Sequence, residues 1–134
     1  MTTSQNVRIL LVEDDSSIGY MIKAGMQTLD TSYHLDHAYS AEEGLELWDE
    51  QPYDLVMTDF NLRGMNGLSL VVQLRQRGST VPTVLFTAYD TPRLRQQASE
   101  ADVSVFLSKP FLLDDFVDTA RSLLPLEERA IGKP

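Results

Sequence analysis

Five short apolar runs, separated by stretches with a different rhythm, restrict this chain to very few architectures. The runs are "VRILLV" (7–12), "YHLDHA" (33–38), "DLVMT" (54–58), "TVLFT" (83–87) and "VSVFL" (103–107). Each has the length of a strand, and three are apolar at consecutive positions, as strands covered on both faces are. Between them apolar residues recur at helical spacing. Ile18, Met21, Ile22, Gly25 and Leu29 share one face, as do Leu70, Val71 and Leu74, and again Phe116, Val117, Ala120 and Leu124. Ser40 followed by Glu43 is a capping-box signature, and Thr91 before Pro92 places a cap and a first-turn proline. Strands alternating with helices in this way predict an α/β fold, a parallel sheet with helices on both faces, because parallel neighbours need helical crossovers.

A length of 134 residues suits one domain with a proper core. Twenty acids against eleven Lys and Arg leave a net charge of −9, and such a surface repels phosphate backbones and anionic lipid. No direct nucleic-acid or membrane binding is expected. The chain has no cysteine, which removes disulfides, thiolate catalysis and zinc–thiolate sites. The polar start "MTTSQN" does not read as a signal peptide, and no apolar run approaches the ~20 residues of a membrane helix. The expected location is cytoplasmic. Residues 1–6 read as an N-terminal tail and 125–134 as a C-terminal tail or the start of a linker, too short for an output domain, leaving 7–124 as the domain.

In open α/β sheets, functional groups collect beyond the carboxyl ends of the strands. Here the first run is followed by Glu13, Asp14 and Asp15, the third by Asp59 and the fifth by Lys109 and Pro110, while the fourth ends on Thr87. The second ends in nothing chemical, as suits an edge strand. With the first, third and fourth strands as neighbours, Glu13, Asp14 and Asp59 converge, and their repulsion calls for a proton, a cation or both. The donors are all oxygen, so Mg²⁺ or Mn²⁺ fits better than zinc. Lys109 adds a positive charge and Thr87 a hydroxyl. Together these groups form a pocket for a phosphoryl group, with one carboxylate left as nucleophile.

"LLVEDD", "VMTDFNLRGMNG", "VLFTAYD" and "VFLSKPF", in this order over residues 7–124, resemble the receiver domain of bacterial two-component response regulators. The resemblance implies a flavodoxin-like (βα)₅ three-layer sandwich with strand order 2-1-3-4-5. It implies that Asp59 is the phosphoacceptor, attacking the phosphohistidine of a sensor histidine kinase or histidine phosphotransfer protein. Mg²⁺ (or Mn²⁺) would be held by the Asp14 and Asp59 carboxylates, the Asn61 backbone carbonyl and, through water, Glu13. Lys109, Thr87 and the Ala88 N–H would bind phosphoryl oxygens, and loss of the phosphate to water would be self-catalysed. Thr87 and Phe106 would form the switch that alters the protein-binding face for a downstream effector, with a homodimer on phosphorylation as a further expectation.

Departures from the family pattern are informative. Arg63 stands where proline is usual, suggesting a less rigid loop after Asp59. Asp102 stands where glycine is common before the fifth strand, and since Asp tolerates a left-handed backbone better than most residues, the turn is expected to survive. Phe106 lacks the hydroxyl of the tyrosine often found there. Asn61 and Tyr89 occupy positions that tune phosphate lifetime in the family. Asp15 reads as a cap of the first helix together with Ser16, Trp48 and the methionines as core, and His34 and His37 as structural or solvated. Two other functions compete. A haloacid-dehalogenase-type phosphatase needs a second aspartate where Asn61 stands, and a phosphorylation-independent pseudo-receiver typically lacks one of the residues present here. A flavodoxin is disfavoured, because "EDDSS" would repel a flavin phosphate.

Overall fold

The computed structural model describes residues 7–125; the two sequence tails, apart from Pro125, lie outside the described residues. Strands β1 (Val7–Val12), β2 (Tyr33–Ala38), β3 (Leu55–Asp59), β4 (Thr83–Thr87) and β5 (Val105–Ser108) alternate with helices α1 (Ser16–Met26), α2 (Ala41–Glu50), α3 (Gly67–Gln76), α4 (Pro92–Glu100) and α5 (Leu113–Leu123). The strands are parallel and lie in the order β2-β1-β3-β4-β5. The sheet order and the helices on both faces are those expected for the flavodoxin-like sandwich.

Side chains alternate across a strand, so consecutive apolar residues feed two cores. Ile9, Leu11, Leu55, Met57, Val84 and Phe86 pack with Ile22 and Met26 of α1 and with Phe116 and Val117 of α5. Leu10, Val12 and Val56 point the other way, against Leu45 and Trp48 of α2 and Leu70 and Leu74 of α3. All five residues of β3 and all five of β4 are buried. These strands are therefore a stiff support for whatever stands at their ends.

The helix caps follow the sequence signals. The Ser40 hydroxyl accepts the Glu43 N–H, and the Glu43 carboxylate accepts the N–H of Tyr39, one residue outside the cap. Thr91 caps α4 with Pro92 in its first turn. Asp15 itself caps α1, its Oδ1 accepting the N–H groups of Ser17 and Ile18.

Three expectations need correction. β5 starts at Val105, two residues late, because the Val103 N–H closes the end of α4 on the Ala98 carbonyl. Met21 is 46% exposed. The buried stripe of α1 runs through Gly19, Ile22 and Met26, and Met21 lies on its flank. Met65 is only partly buried against the core. Among the described residues no helix is long and apolar enough to cross a membrane.

One side chain staples the sheet's far end in a way that no motif announces. The Arg75 guanidinium donates to the carbonyls of Ala101, Asp102, Ser79 and Val81 and to the Thr83 hydroxyl. It thereby ties α3 to the turn where Asp102 takes a positive φ of 60°. Replacing Arg75 with Met should lower stability by about 1–2 kcal/mol in urea unfolding, since partly buried carbonyls then lose a charged donor; a change below about 0.5 kcal/mol would contradict this.

Candidate functional site

The carboxyl ends of β1, β3, β4 and β5 lie side by side, with Val12 beside Thr58, Asp59 beside Phe86, and Thr87 beside Ser108. Asp59 is therefore presented by the central strand and is only 4% exposed. Its Oδ2 accepts the Lys109 ammonium at 2.9 Å and its Oδ1 accepts the Asn61 N–H at 3.0 Å. Lys109 precedes Pro110 through a cis peptide bond, and its own N–H is held by the Thr87 carbonyl at 2.7 Å. Close packing secures the other side of Asp59. A side chain on Gly67 would come within 2.1 Å of the Asp59 carbonyl oxygen, so only glycine lets α3 start there.

Glu13 faces the same ammonium at 4.0 Å. It is 1% exposed, its Oε2 accepts the Asp15 N–H, and its Oε1 is buried without a hydrogen-bond partner. Burial first, and then the charge of Asp59, push its carboxyl up to about 7, against the opposing pull of the Asp15 N–H and Lys109. A lone ammonium thus serves two buried carboxylates. Asp14 is turned elsewhere: its Oδ2 accepts the Arg63 N–H at 3.2 Å and lies 3.6 Å from the guanidinium. The Arg63 side chain is 91% exposed, so that ion pair is weak.

The three acids therefore do not form a closed cage. Among the described residues no group of three Asp, Glu or His side chains is placed to hold a metal ion unaided. Glu13 and Asp59 are brought together, and Asp14 stands at the rim. The donor chemistry nevertheless fits a hard cation: every donor is oxygen, Glu13 Oε1 has no hydrogen-bond partner, and the positive charge falls one short of the negative. The loop after Asp59 is also better held than Arg63 suggests, since Glu42 accepts the Met65 N–H and the Phe60 carbonyl accepts the N–H groups of Leu62 and Gly67.

Thr87 is fully buried, and its hydroxyl donates to Asn61 Oδ1 at 3.0 Å while accepting the Tyr89 N–H at 2.9 Å. Asn61, Thr87 and Tyr89, at and just past the ends of β3 and β4, are hence one chain of hydrogen bonds beside Asp59. Ala88 is exposed next to it and, with Ile18, Met21, Lys109, Pro110 and Phe111, lines an apolar cavity of about 310 Å³. Phe106 lies away from Asp59, half-buried on β5, beneath the Arg95 guanidinium, which sits 4.5 Å from its ring centre. Arg95 in turn makes a two-pronged pair with Asp90 at 2.6 and 2.9 Å. That arginine and the Ser108 hydroxyl hold the Asp90 carboxyl down at about 2. Neither Gly67 nor Arg95 stands out in the sequence; the "NG" before α3 is a faint signal for the first, and nothing marks the second.

The family model described as response regulator receiver domain matches residues 9–121. Over 127 residues the chain is 32% identical to the transcriptional regulatory protein QseB of Escherichia coli O157:H7, covering 95% of this chain and 56% of QseB. It is also 32% identical over 118 residues to the probable transcriptional regulatory protein SilR of Salmonella typhimurium, covering 88% and 51%. The chain spans about half the length of the curated relatives it matches. Among solved structures, the non-phosphorylated HemR receiver domain of Leptospira biflexa superposes with a TM-score of 0.80 at 28% identity, covering 88% of this chain and 94% of that one. The Vibrio cholerae chemotaxis protein CheY4 has a TM-score of 0.81 at 23% identity, covering 90% and 100%, and speaks for the fold.

The Glu13 environment generates a pH prediction. The folded protein keeps the Glu13 proton up to about pH 7, against an ordinary value of 4.5, so the stability it contributes is fully present below 4.5 and is lost as pH rises from there to about 7. In divalent-free buffer the melting temperature should rise as pH falls from about 7 to about 5, and Glu13→Gln should remove most of that rise. His37, whose pKa burial lowers, works in the opposite sense below its ordinary value of 6.5, so the difference between wild type and Glu13→Gln is the quantity to compare. Parallel pH profiles for the two proteins would refute the assignment.

Proposed function

The chain belongs to the response regulator receiver domain family, and from that premise we propose that it accepts a phosphoryl group on Asp59 from the phosphohistidine of a sensor kinase or histidine phosphotransfer protein. The observation that carries the reading is the Asp59–Lys109 pair, 2.9 Å apart at the end of a fully buried strand. A nucleophile here needs a fixed position and a cation for the charge on the transferring group, and this pair supplies both. A carboxylate oxygen of Asp59 attacks phosphorus, the P–N bond to the donor imidazole breaks, and the imidazole leaves with the electron pair. Lys109, the Thr87 hydroxyl and the Ala88 N–H take the phosphoryl oxygens. Hydrolysis later returns the carboxylate: water adds to phosphorus and inorganic phosphate departs.

Glu13, Asp14, Asp59 and Asn61 are the residues that would hold Mg²⁺ or Mn²⁺, and the ion would neutralise charge on the phosphoryl oxygens. The unpartnered Glu13 Oε1 and the excess of carboxylate over ammonium support this. For the Thr87 hydroxyl to donate to a phosphoryl group it must leave Asn61 Oδ1, so Asn61 competes with the phosphate for the Thr87 proton, while the Tyr89 N–H donates to the same hydroxyl oxygen. That competition is the proposed start of the switch, with Phe106 the proposed aromatic that follows it. On this reading the domain catalyses only its own phosphorylation and dephosphorylation.

The named relatives QseB and SilR are transcriptional regulators about twice the length of the match. A chain of net charge −9 is poorly suited to a phosphate backbone. We read it as a cytoplasmic signal-receiving unit that passes its state by protein contact to an effector protein or domain, or to a second copy of itself on phosphorylation.

Incubation with acetyl phosphate and Mg²⁺, followed by intact mass measurement, tests this. Wild type should gain one phosphoryl group, Asp59→Asn none, and wild type with a chelator none. Lys109→Ala should label ~10²-fold more slowly, the usual loss for a missing charge-stabilising donor. Equal labelling of wild type and Asp59→Asn would overturn the proposal.

A further inference from the structure

Just behind the acidic turn lies a histidine that the phosphoryl chemistry does not use. At the end of β2 the His37 Nε2 lies 2.8 Å from the backbone carbonyl of Glu13. A carbonyl only accepts, so Nε2 carries the proton and donates. The Glu13 N–H is itself held by the Ala38 carbonyl at 3.0 Å. Both backbone groups of Glu13 are therefore tied to consecutive residues of the neighbouring strand. His37 pairs in register with Leu11, and Ala38 with Val12, so these two bonds extend the β1–β2 pairing past the end of β1 into the turn that carries Glu13 and Asp14.

The ring has little freedom to be elsewhere. It stacks on Tyr39, ring centres 4.0 Å apart and planes 24° apart. On α1 it lies against Gly19, where an added side-chain carbon would come within 2.2 Å of the His37 Cε1. Gly19 belongs to the buried stripe of α1, so backbone stands on that side and cannot give way. The pair of a glycine on α1 and an imidazole on β2 thus builds a slot whose purpose is the Glu13 carbonyl. Without the donor that carbonyl has no partner, and the peptide joining Glu13 to Asp14 loses its fixed plane.

We propose that His37 is the positioning residue of the acidic turn, holding the Glu13–Asp14 peptide in the plane from which Glu13, and Asp14 once it leaves Arg63, reach a divalent cation. The inference rests on the metal-assisted reading given above. Partners one step removed from a metal's ligands typically alter its affinity by ~10–100-fold when lost, and His37 reaches the Glu13 carbonyl directly.

Titration calorimetry of the full chain with Mg²⁺ as the only ligand provides the test, with the melting temperature of every variant measured alongside. His37→Ala should bind Mg²⁺ about 10-fold more weakly than wild type. His37→Gln, whose amide nitrogen can stand in for Nε2, should bind as wild type does. Gly19→Ala leaves the imidazole in the chain but fills its slot, and should weaken binding as His37→Ala does. Val105→Ala, on the opposite edge of the sheet, should lower the melting temperature and leave Mg²⁺ affinity unchanged.

The proposal is overturned if His37→Ala binds within about twofold of wild type, or if Val105→Ala weakens Mg²⁺ binding as much as His37→Ala at a matched melting temperature. If His37→Ala does not fold, Gly19→Ala carries the comparison, and wild-type affinity in that variant overturns the proposal equally. A wild-type chain that binds no Mg²⁺ at millimolar concentration would instead remove the metal-assisted reading itself. That result is distinct from one in which wild type binds and His37 does not matter.

Discussion

The ammonium of Lys109 stands 2.9 Å from one buried carboxylate and 4.0 Å from another, and the rest of the molecule can be understood from that arrangement. Two carboxylates withdrawn from water repel each other and each lose solvation, and one cation offsets only part of this. The remainder appears in Glu13, whose carboxyl holds its proton up to about neutral pH. A site in this condition favours added positive charge, whether proton or divalent ion. It also keeps Asp59 fixed: one oxygen is held by Lys109 and the other by the Asn61 N–H.

Holding such a group in place requires a support that does not yield. The strand that ends in Asp59 is buried along its whole length, with β1 on one side and β4 on the other. Gly67 brings α3 against the Asp59 carbonyl, and Arg75 ties the opposite end of the sheet to α3 and the turn before β5. The β4–β5 side, where the proposed switch lies, is built differently. β5 is an edge strand, half-buried throughout, and α4 buries only Leu94 and Ala98. There the contacts are polar and partly exposed: Arg95 over Phe106, paired with Asp90, which also takes the Ser108 hydroxyl. These contacts are partly solvated, unlike the apolar packing around β3, and under the proposed function they are the ones that would rearrange.

Much of this was legible in the sequence because the signals are local. Consecutive apolar residues mark strands covered on both faces, and residues just past a strand's end are where chemistry collects, so Glu13, Asp59, Thr87 and Lys109 could be picked out before any coordinates. The cap at Asp15 follows from side-chain chemistry, and the left-handed turn at Asp102 from the family pattern, which commonly has glycine there. What was not legible depends on contacts distant in sequence. The match of Gly19 to His37, Gly67 to the Asp59 carbonyl, and Arg75 to the turn before β5 each join residues whose pairing no spacing rule predicts. Asp14 illustrates the same limit. Its place in the turn was evident, but its direction, toward Arg63 and away from Asp59, is set by the loop after β3. The late start of β5 and the exposure of Met21 come from competition at element ends and flanks, where periodicity is least informative.

The account depends on the phosphoryl group residing on one named carboxylate, and chemical trapping examines this most directly. An aspartyl phosphate is an acyl phosphate, which borohydride reduces to homoserine, whereas a free carboxylate is left untouched. The chain, phosphorylated and then reduced, would be digested and its peptides sequenced by mass spectrometry. Homoserine is expected at position 59 and at no other aspartate. Homoserine at Asp14 or Asp15, or a phosphorylated chain with aspartate intact at 59, would contradict it.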